Sequence, residues 1–442
     1  MSDHTAIDCT HDPQARSWVE SANEPGPFPI QNLPLGVFRH QTAMPKCGVA
    51  IGSYIADLDA MVQLRLIDVS ADIFETRSEG DLSRYFTLPG EHRSQIRRAI
   101  FNALCADSRQ GEHAKNVREN FLLPAADCEM SLPMAIGDYT DFYAGIHHAH
   151  NGGKRMGRKP PLPLNYHAMP IAYHGRASTI HCGPGRVHRP LGQVLSPDGK
   201  RSALAFTSKL DFELELGAWI GPGNLAGASV PTDDAENVVA GLCLLNDLSA
   251  RDFQSWEMVP LGPFLSKNFA TVVSPWIVTL EALAPFRAAP MPRDCSVPPL
   301  LSYLDSSENN RLGAFSIALQ VDLSTEKMRE QGTPPKRISQ TNASHLYWTF
   351  AQMIAHHTVG GCQLRTGDLI GSGTISAPQR SGYGSLAELT CDGAEPILLP
   401  SGETRTYLRD GDRVTFSATA SSDHYVSIGF GQCVVEIAHA KR

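Results

Sequence analysis

Leu210-Asp211-Phe212-Glu213-Leu214-Glu215-Leu216 sets acidic and large apolar side chains in alternation. Side chains of a β-strand point by turns to its two faces, so the stretch predicts a strand with Glu213 and Glu215 on one face and Phe212, Leu214 and Leu216 on the other. Alone, a Glu-x-Glu pair fits a solvated outer face equally well. The continuation Ala218-Trp219-Ile220 is apolar on both faces and leads the strand toward the interior. Two carboxylates on one buried face repel each other unless a hard cation lies between them.

The rest of the chain has the same texture. Its 37 Gly and 31 Pro fall between short apolar runs rather than in one linker. That pattern predicts many short strands joined by tight turns, a mainly β or β-rich α+β protein. Helical periodicity is confined to a few places. Residues 91–106 place Ile96, Ile100, Ala103 and Leu104 on one stripe, and a second candidate from about 344 to 356 groups Leu346, Phe350, Met353 and Ile354. Reactive side chains are sparse through residue 125 and thicken after Pro133. We therefore expect a small N-terminal domain, 1–130, and a large C-terminal one, 131–442, with 287–299 as a Pro-rich surface loop.

Composition narrows the function. Of the 442 residues, 42% are hydrophobic and 19% charged, enough for a large core. The 38 Lys+Arg stand against 46 Asp+Glu, for a net charge of -8. Without a basic excess, nucleic-acid binding is not expected. No apolar run approaches the ~18 residues of a membrane span. Residues 1–9 carry His and Asp where a signal peptide needs basic and apolar stretches. None of the ten cysteines forms a CxxC pair, and Cys243 sits inside the apolar run 238–245. Zinc-knuckle and thioredoxin-type chemistry are not expected, and a reducing cytoplasm is the expected compartment.

Three further segments carry polar chemistry. In 137–148, a helix from Asp141 onward would bring Asp141 and His148 to one face, although Asp141 also fits a helix N-cap. The run 238–245 predicts a buried strand ending at Asn246-Asp247. Ser249 and Asp252 then have capping-box spacing for a helix whose face carries Arg251 and Gln254. Lys267 follows the apolar, rigid Pro260-Leu261-Gly262-Pro263-Phe264-Leu265, where it snorkels or partners the acids. The small-residue stretch 371–376 lets backbone approach a ligand, and His356-His357 is read as structural. Asp141, Glu213, Glu215 and Asp247 then form an oxygen-rich set, with His148 as a base and Arg251, Gln254 and Lys267 as donors. Four carboxylates without Cys suit Ca²⁺ or Mg²⁺ better than Zn²⁺. The residues by themselves support a metal-dependent hydrolase or lyase.

Longer motifs add a family. Phe28-Pro29-Ile30-Gln31-Asn32-Leu33-Pro34-Leu35-Gly36-Val37-Phe38, Asp138-Tyr139-Thr140-Asp141-Phe142-Tyr143 and Tyr173-His174-Gly175-Arg176-Ala177-Ser178 occur in that order. Asn246-Asp247 through Lys267, Gly373-Thr374-Ile375-Ser376 and Tyr425-Val426-Ser427-Ile428-Gly429-Phe430-Gly431-Gln432-Cys433 follow. Together they resemble the fumarylacetoacetases over nearly the whole chain. The resemblance implies a homodimer whose subunits have an N-terminal SH3-like barrel and a C-terminal mixed β-roll. It implies hydrolysis of a carbon–carbon bond in 4-fumarylacetoacetate to give fumarate and acetoacetate, the last step of tyrosine and phenylalanine catabolism.

By motif match, Asp141, Glu213, Glu215 and Asp247 resemble the family's Ca²⁺ ligands, and Lys267 with Thr271 a second cation site, for Mg²⁺, beside Asp247. His148 resembles the general base and Glu388 the acid that orients it. Arg251, Gln254 and Lys267 resemble the oxyanion donors. Tyr143, Arg158, Tyr173, Gln254 and Thr374 resemble substrate contacts, and Met258 stands where the family commonly has a substrate-touching Tyr. Asn268 and Ala270 replace the more usual Ser and Gly. The alternatives are a related β-diketone or acylpyruvate hydrolase, an oxo-acid decarboxylase, or a scaffold that binds metal without catalysis. The last would lack His148 or Glu388, and both are present.

Overall fold

Short apolar runs cut by Gly and Pro fold here into two curved sheets and a smaller N-terminal one. The structure is a computed structural model describing residues 6–41, 43–74, 81–196 and 198–440. The N-terminal sheet is antiparallel, in the order Leu122–Pro124, Tyr54–Asp57, Lys46–Ile51, Leu35–His40, Cys128–Ser131. Against it lies the helix Gly90–Leu104, which buries the expected Ile96, Ile100, Ala103 and Leu104. It also buries Arg97, whose guanidinium donates to the carbonyls of Asn32 (2.7 Å) and Gln31 (2.5 Å). Periodicity does not announce that burial, because the cation is satisfied by carbonyls far away in sequence.

The C-terminal domain is built on a mixed eight-stranded sheet. Its order is Ala172–His174, Tyr139–Phe142, Leu369–Gly371, Leu214–Ile220, Val239–Asp247, Thr271–Val273, Ile180–Cys182, with Val278–Thr279 also paired to Val239–Asp247. A five-stranded sheet follows, ordered Lys336–Asn342, Ile317–Ser324, Arg413–Ser422, Tyr425–Ala438, Gly185–His188. Leu214, Leu216, Leu242 and Leu244 join one core with Leu319, Phe416, Phe430 and Val435 of that second sheet. Trp219, Cys243, Leu245 and Val273 join the N-terminal core instead. Covered on both faces, Val239–Asp247 is apolar at nearly every position. The result is a mixed α+β protein of two domains. Among the described residues, no helix is long and apolar enough to cross a membrane.

Several local expectations are corrected. The stretch 210–216 is not one continuous strand: Leu210–Asp211 pairs with Ser249–Ala250, and the chain re-enters a sheet only at Leu214. Asp141 begins no helix; it lies on the strand Tyr139–Phe142, and the helix spans Ile146–Arg155. Ser249 caps nothing, because its hydroxyl donates to the Asp247 carbonyl (3.1 Å) and the following helix, Arg251–Glu257, has no side-chain N-cap. The second candidate helix starts late, at Phe350–Thr358, behind a Thr349/Gln352 capping box that leaves Leu346 outside. In each case a long-range partner or a better cap outweighed a local pattern.

Candidate active site

Three strands of the eight-stranded sheet, and the break before one of them, bring four acids to one point. Asp141 comes from Tyr139–Phe142, Glu215 from Leu214–Ile220 and Asp247 from the end of Val239–Asp247; Glu213 sits in the break before Leu214. One oxygen of each carboxylate lies within 4.8 Å of the others, and all four side chains are buried. Gly371 separates two of the strands. A Cβ there would come within 2.5 Å of Asp141 Oδ1, so only glycine leaves room for the cluster.

Their electrostatics divide them. Lys267 Nζ donates to Glu213 Oε2 and to Asp247 Oδ2 (2.6 Å), and Arg251 Nη1 donates to Glu213 Oε1 (2.8 Å). Burial would raise the Glu213 carboxyl, but Lys267 and then Arg251 outweigh it and hold it well below its usual range. Asp141 and Glu215 have no such partner. Burial first, and then the neighbouring carboxylates, push both well above the ordinary value. The Gly373 N–H donates to Glu215 Oε2 (2.9 Å) and to Asp141 Oδ1 (3.2 Å), while Glu215 Oε1 is buried without a hydrogen-bond partner. Uncompensated oxygens of this number and kind fit a hard, oxygen-preferring dication.

Beside the acids stands a histidine–carboxylate pair. The helix Ile146–Arg155 starts after Gly145, where a Cβ would fall 2.1 Å from the Thr374 carbonyl oxygen. That close seat turns buried His148 inward. Its Nδ1 is hydrogen-bonded to Glu388 Oε2 at 2.6 Å, and its Nε2 lies 3.7 Å from Glu213 Oε1. Glu388 also accepts from Asn151 Nδ2 (2.9 Å), Ser376 Oγ (2.9 Å) and Ser385 Oγ (2.9 Å). Burial would raise this carboxyl, yet His148 first, then Asn151 and the charge of Arg155, hold it down to about 2. An ionised Glu388 can only accept, so His148 Nδ1 carries the proton and Nε2 is the nitrogen left for chemistry. His147 turns away, its ring edge-on to His345 at 5.9 Å.

A cavity of about 410 Å³ opens over these groups. Tyr143, Arg158, Tyr173, Gln254, Met258 and Thr374 all line it, as do His148, Arg251 and Lys267. Burial, then the charges of Glu213 and Glu388, push Tyr143 up to about 12, so its hydroxyl stays protonated. Tyr173 donates to Asp247 Oδ2 (2.6 Å) and Thr271 Oγ1 to Asp247 Oδ1 (2.9 Å), which fixes that carboxylate. Arg251 Nη1 also donates to Gln254 Oε1 (3.1 Å), while Arg251 Nη2 and Thr374 Oγ1 are buried with no partner of their own. His356 and His357 lie elsewhere, within 2.9 Å of Tyr303 Oη and Thr140 Oγ1 respectively.

Against protein families, residues 139–438 match the one described as "Fumarylacetoacetate (FAA) hydrolase C-terminal", and residues 31–133 match "Fumarylacetoacetase N-terminal". The chain belongs to the fumarylacetoacetase family. It is 41% identical over 416 residues to the fumarylacetoacetase of Arabidopsis thaliana, covering 93% of this chain and 95% of that one. It is 39% identical to that of Rattus norvegicus, with 94% and 97% covered, and 40% identical to that of Dictyostelium discoideum, with 95% and 96% covered. As a member of this family the protein is a hydrolase.

Sequence reasoning missed one residue of this family member's site that ties its parts together. Asp211 is fully buried and accepts from Arg251 Nε (2.8 Å), from the Leu386 N–H (2.7 Å) and from the Ala387 N–H (3.1 Å). It thus holds the guanidinium that faces the cavity and the short helix Leu386–Leu389 that carries Glu388. The signal was its place in the acidic series 211, 213, 215. Removing one partner of a buried ion pair strands the other. Asp211→Ala is expected to lower the unfolding free energy by about 3 kcal/mol and to reduce turnover together with it. Denaturant melts that match the parent protein would show Asp211 to be dispensable.

Proposed function

We propose that this protein hydrolyses 4-fumarylacetoacetate to fumarate and acetoacetate, closing tyrosine and phenylalanine catabolism, as a cytoplasmic homodimer. The observation that carries the reading is the His148–Glu388 pair facing a cavity beside four buried carboxylates. Identity near 40% to fumarylacetoacetases over nearly the full length of both chains supports the substrate. We read residues 1–130 as the family's SH3-like barrel and 131–442 as its β-roll. Exposed Leu261 lines the cavity, and exposed Leu164, Val259 and Phe264 adjoin its lining residues Pro163, Met258 and Pro263 in the chain; apolar surface of this kind is what a second copy covers.

Asp141, Glu213, Glu215 and Asp247 would hold Ca²⁺, and Lys267 and Thr271 beside Asp247 would border a Mg²⁺ site. When bound, a hard dication supplies an electrophile for the oxygens of a 1,3-diketone and offsets the negative charge of the departing enolate. The chain's own residues do the rest. His148 Nε2 takes a proton from water, whose oxygen adds to the fumaryl carbonyl carbon. Arg251 Nη2, the Gln254 amide and Lys267 donate to the alkoxide that forms in this closed pocket. The carbon–carbon bond then breaks, its electron pair leaves with acetoacetate, and the proton held on His148 returns to that carbon. Tyr143, Tyr173 and Thr374 orient the substrate, Met258 forms part of the wall, and exposed Arg158 stands at the mouth.

Purified protein assayed with fumarylacetoacetate beside acylpyruvates and oxo acids tests the reading. Cleavage of fumarylacetoacetate with the highest kcat/KM is expected, and a clear preference for an acylpyruvate or an oxo-acid decarboxylation would replace it. Glu215→Gln is expected to weaken calorimetric metal binding by about 10-fold or more, whereas a solvated strand face would lose within ~0.5 kcal/mol. An unchanged titration would remove Glu215 from the metal site.

A further inference from the structure

The helix Ile146–Arg155 carries His147, His148 and His150, and of these only His148 lines the cavity. His147 and His150 are three residues apart, so they neighbour each other on another face, with about 5–6 Å between their Cβ atoms. A third ring comes from far along the chain. Gly145 is bridged to Leu346, and the Tyr347 N–H donates to the Ala144 carbonyl (2.9 Å), which lays the turn Ala343–His345 against the start of the helix. His345 thereby meets His147, their ring centres 5.9 Å apart and their planes at 83°. His150 is close enough for its charge to be felt at His147. All three rings are half-buried.

Their nitrogens are open. His147 Nε2 is buried without a hydrogen-bond partner, an uncommon state for a buried polar atom. His345 Nδ1 is taken by Thr341 Oγ1 (3.1 Å), which leaves its Nε2 for another partner. Burial above all holds the three imidazoles below their ordinary pKa, so at neutral pH they are uncharged, the form that ligates metal. A Zn–N bond of about 2.1 Å puts a ring centre about 3 Å from the ion, so two rings on one ion have centres about 5–6 Å apart. His147 and His345 already stand at that separation. Imidazole nitrogens select Zn²⁺, Ni²⁺ or Cu²⁺ over Ca²⁺ and Mg²⁺, the reverse of the four acids.

We propose that His147, His150 and His345 form a metal site for Zn²⁺, separate from the acid cluster and outside the cavity, with water completing the tetrahedron. An ion held there ties the helix that presents His148 to the turn Ala343–His345, which lies far away in the chain. It binds only the folded arrangement and so adds to stability.

Calorimetric titration of Zn²⁺ into protein kept in excess Ca²⁺ tests the proposal. One saturable Zn²⁺ per chain is expected, and Zn²⁺ should raise the midpoint of thermal unfolding. His147→Gln and His345→Gln should each weaken that binding by about 10-fold or more, at least the effect of losing a partner behind a ligand, and should abolish the rise in midpoint. His150→Gln should weaken it too. Glu215→Gln, which disturbs the acid cluster, should bind Zn²⁺ as the parent does. Circular dichroism confirms that each variant is folded, and if one of the variants at 147 and 345 unfolds, the other decides alone. Protein that takes up no stoichiometric Zn²⁺, binding unchanged by the histidine substitutions, or binding lost in Glu215→Gln would overturn the proposal.

Discussion

His148→Gln is expected to lose at least ~10²-fold in kcat, because general-base transfer from water typically contributes ~10²–10⁴-fold. His148 Nδ1 is committed to Glu388 at 2.6 Å, so Nε2 is the free nitrogen, and His147 faces His345 rather than the acids. Glu388→Gln should show a smaller but clear loss, since an amide accepts less strongly and no longer balances the imidazolium that forms. Ser376 and Ser385 remain to hold a side chain at that position. His147→Gln should stay within a few-fold. Steady-state loss of diketone absorbance, with circular dichroism to confirm folding, reads all three. Equal losses at 147 and 148, or a fully active His148→Gln, would take His148 out of the mechanism.

Exhaustive removal of metal is expected to abolish turnover while both C-terminal sheets stay folded. The sheets rest on an apolar core that includes Leu214, Leu242, Phe416 and Phe430. The acids themselves are in tension: burial first, then the charge of Asp247 on Asp141 and of Asp141 on Glu215, pushes both carboxyls well up. A dication relieves that repulsion and binds only the folded arrangement, so its removal should also lower the midpoint of thermal unfolding. Readdition of Ca²⁺ or Mg²⁺ should restore activity and midpoint together. Full turnover in protein shown by elemental analysis to be free of metal would refute the metal's role.

The alternation at 213 and 215 and the unbroken apolar run 238–245 are properties of neighbouring residues. They were legible because strand pleating has a period of two and a sheet covered on both faces excludes polar side chains. The helix Gly90–Leu104 was legible for the same kind of reason, an apolar stripe at helical spacing. Residue type and spacing, and then the family motifs, singled out Asp141, His148, Asp247, Arg251, Gln254 and Lys267, and those side chains do gather around one cavity or its acid cluster.

What lies far apart along the chain was decided only by packing. Asp141 sits on a strand because Tyr139–Phe142 finds partners in Ala172–His174 and Leu369–Gly371, which no local pattern displays. Asp211 leaves the line of Glu213 and Glu215 because its short strand pairs with Ser249–Ala250, and there it grips Arg251 and the helix of Glu388. His148 meets the cavity and Glu388 because the helix Ile146–Arg155 starts close against Thr374, far away in the chain. By itself the sequence determined the periodicities and the residue types that chemistry requires. The tertiary structure decided which of those residues meet, because strand partners and buried charges are chosen by three-dimensional satisfaction of hydrogen bonds and apolar surface, and neither is encoded in the spacing of neighbours.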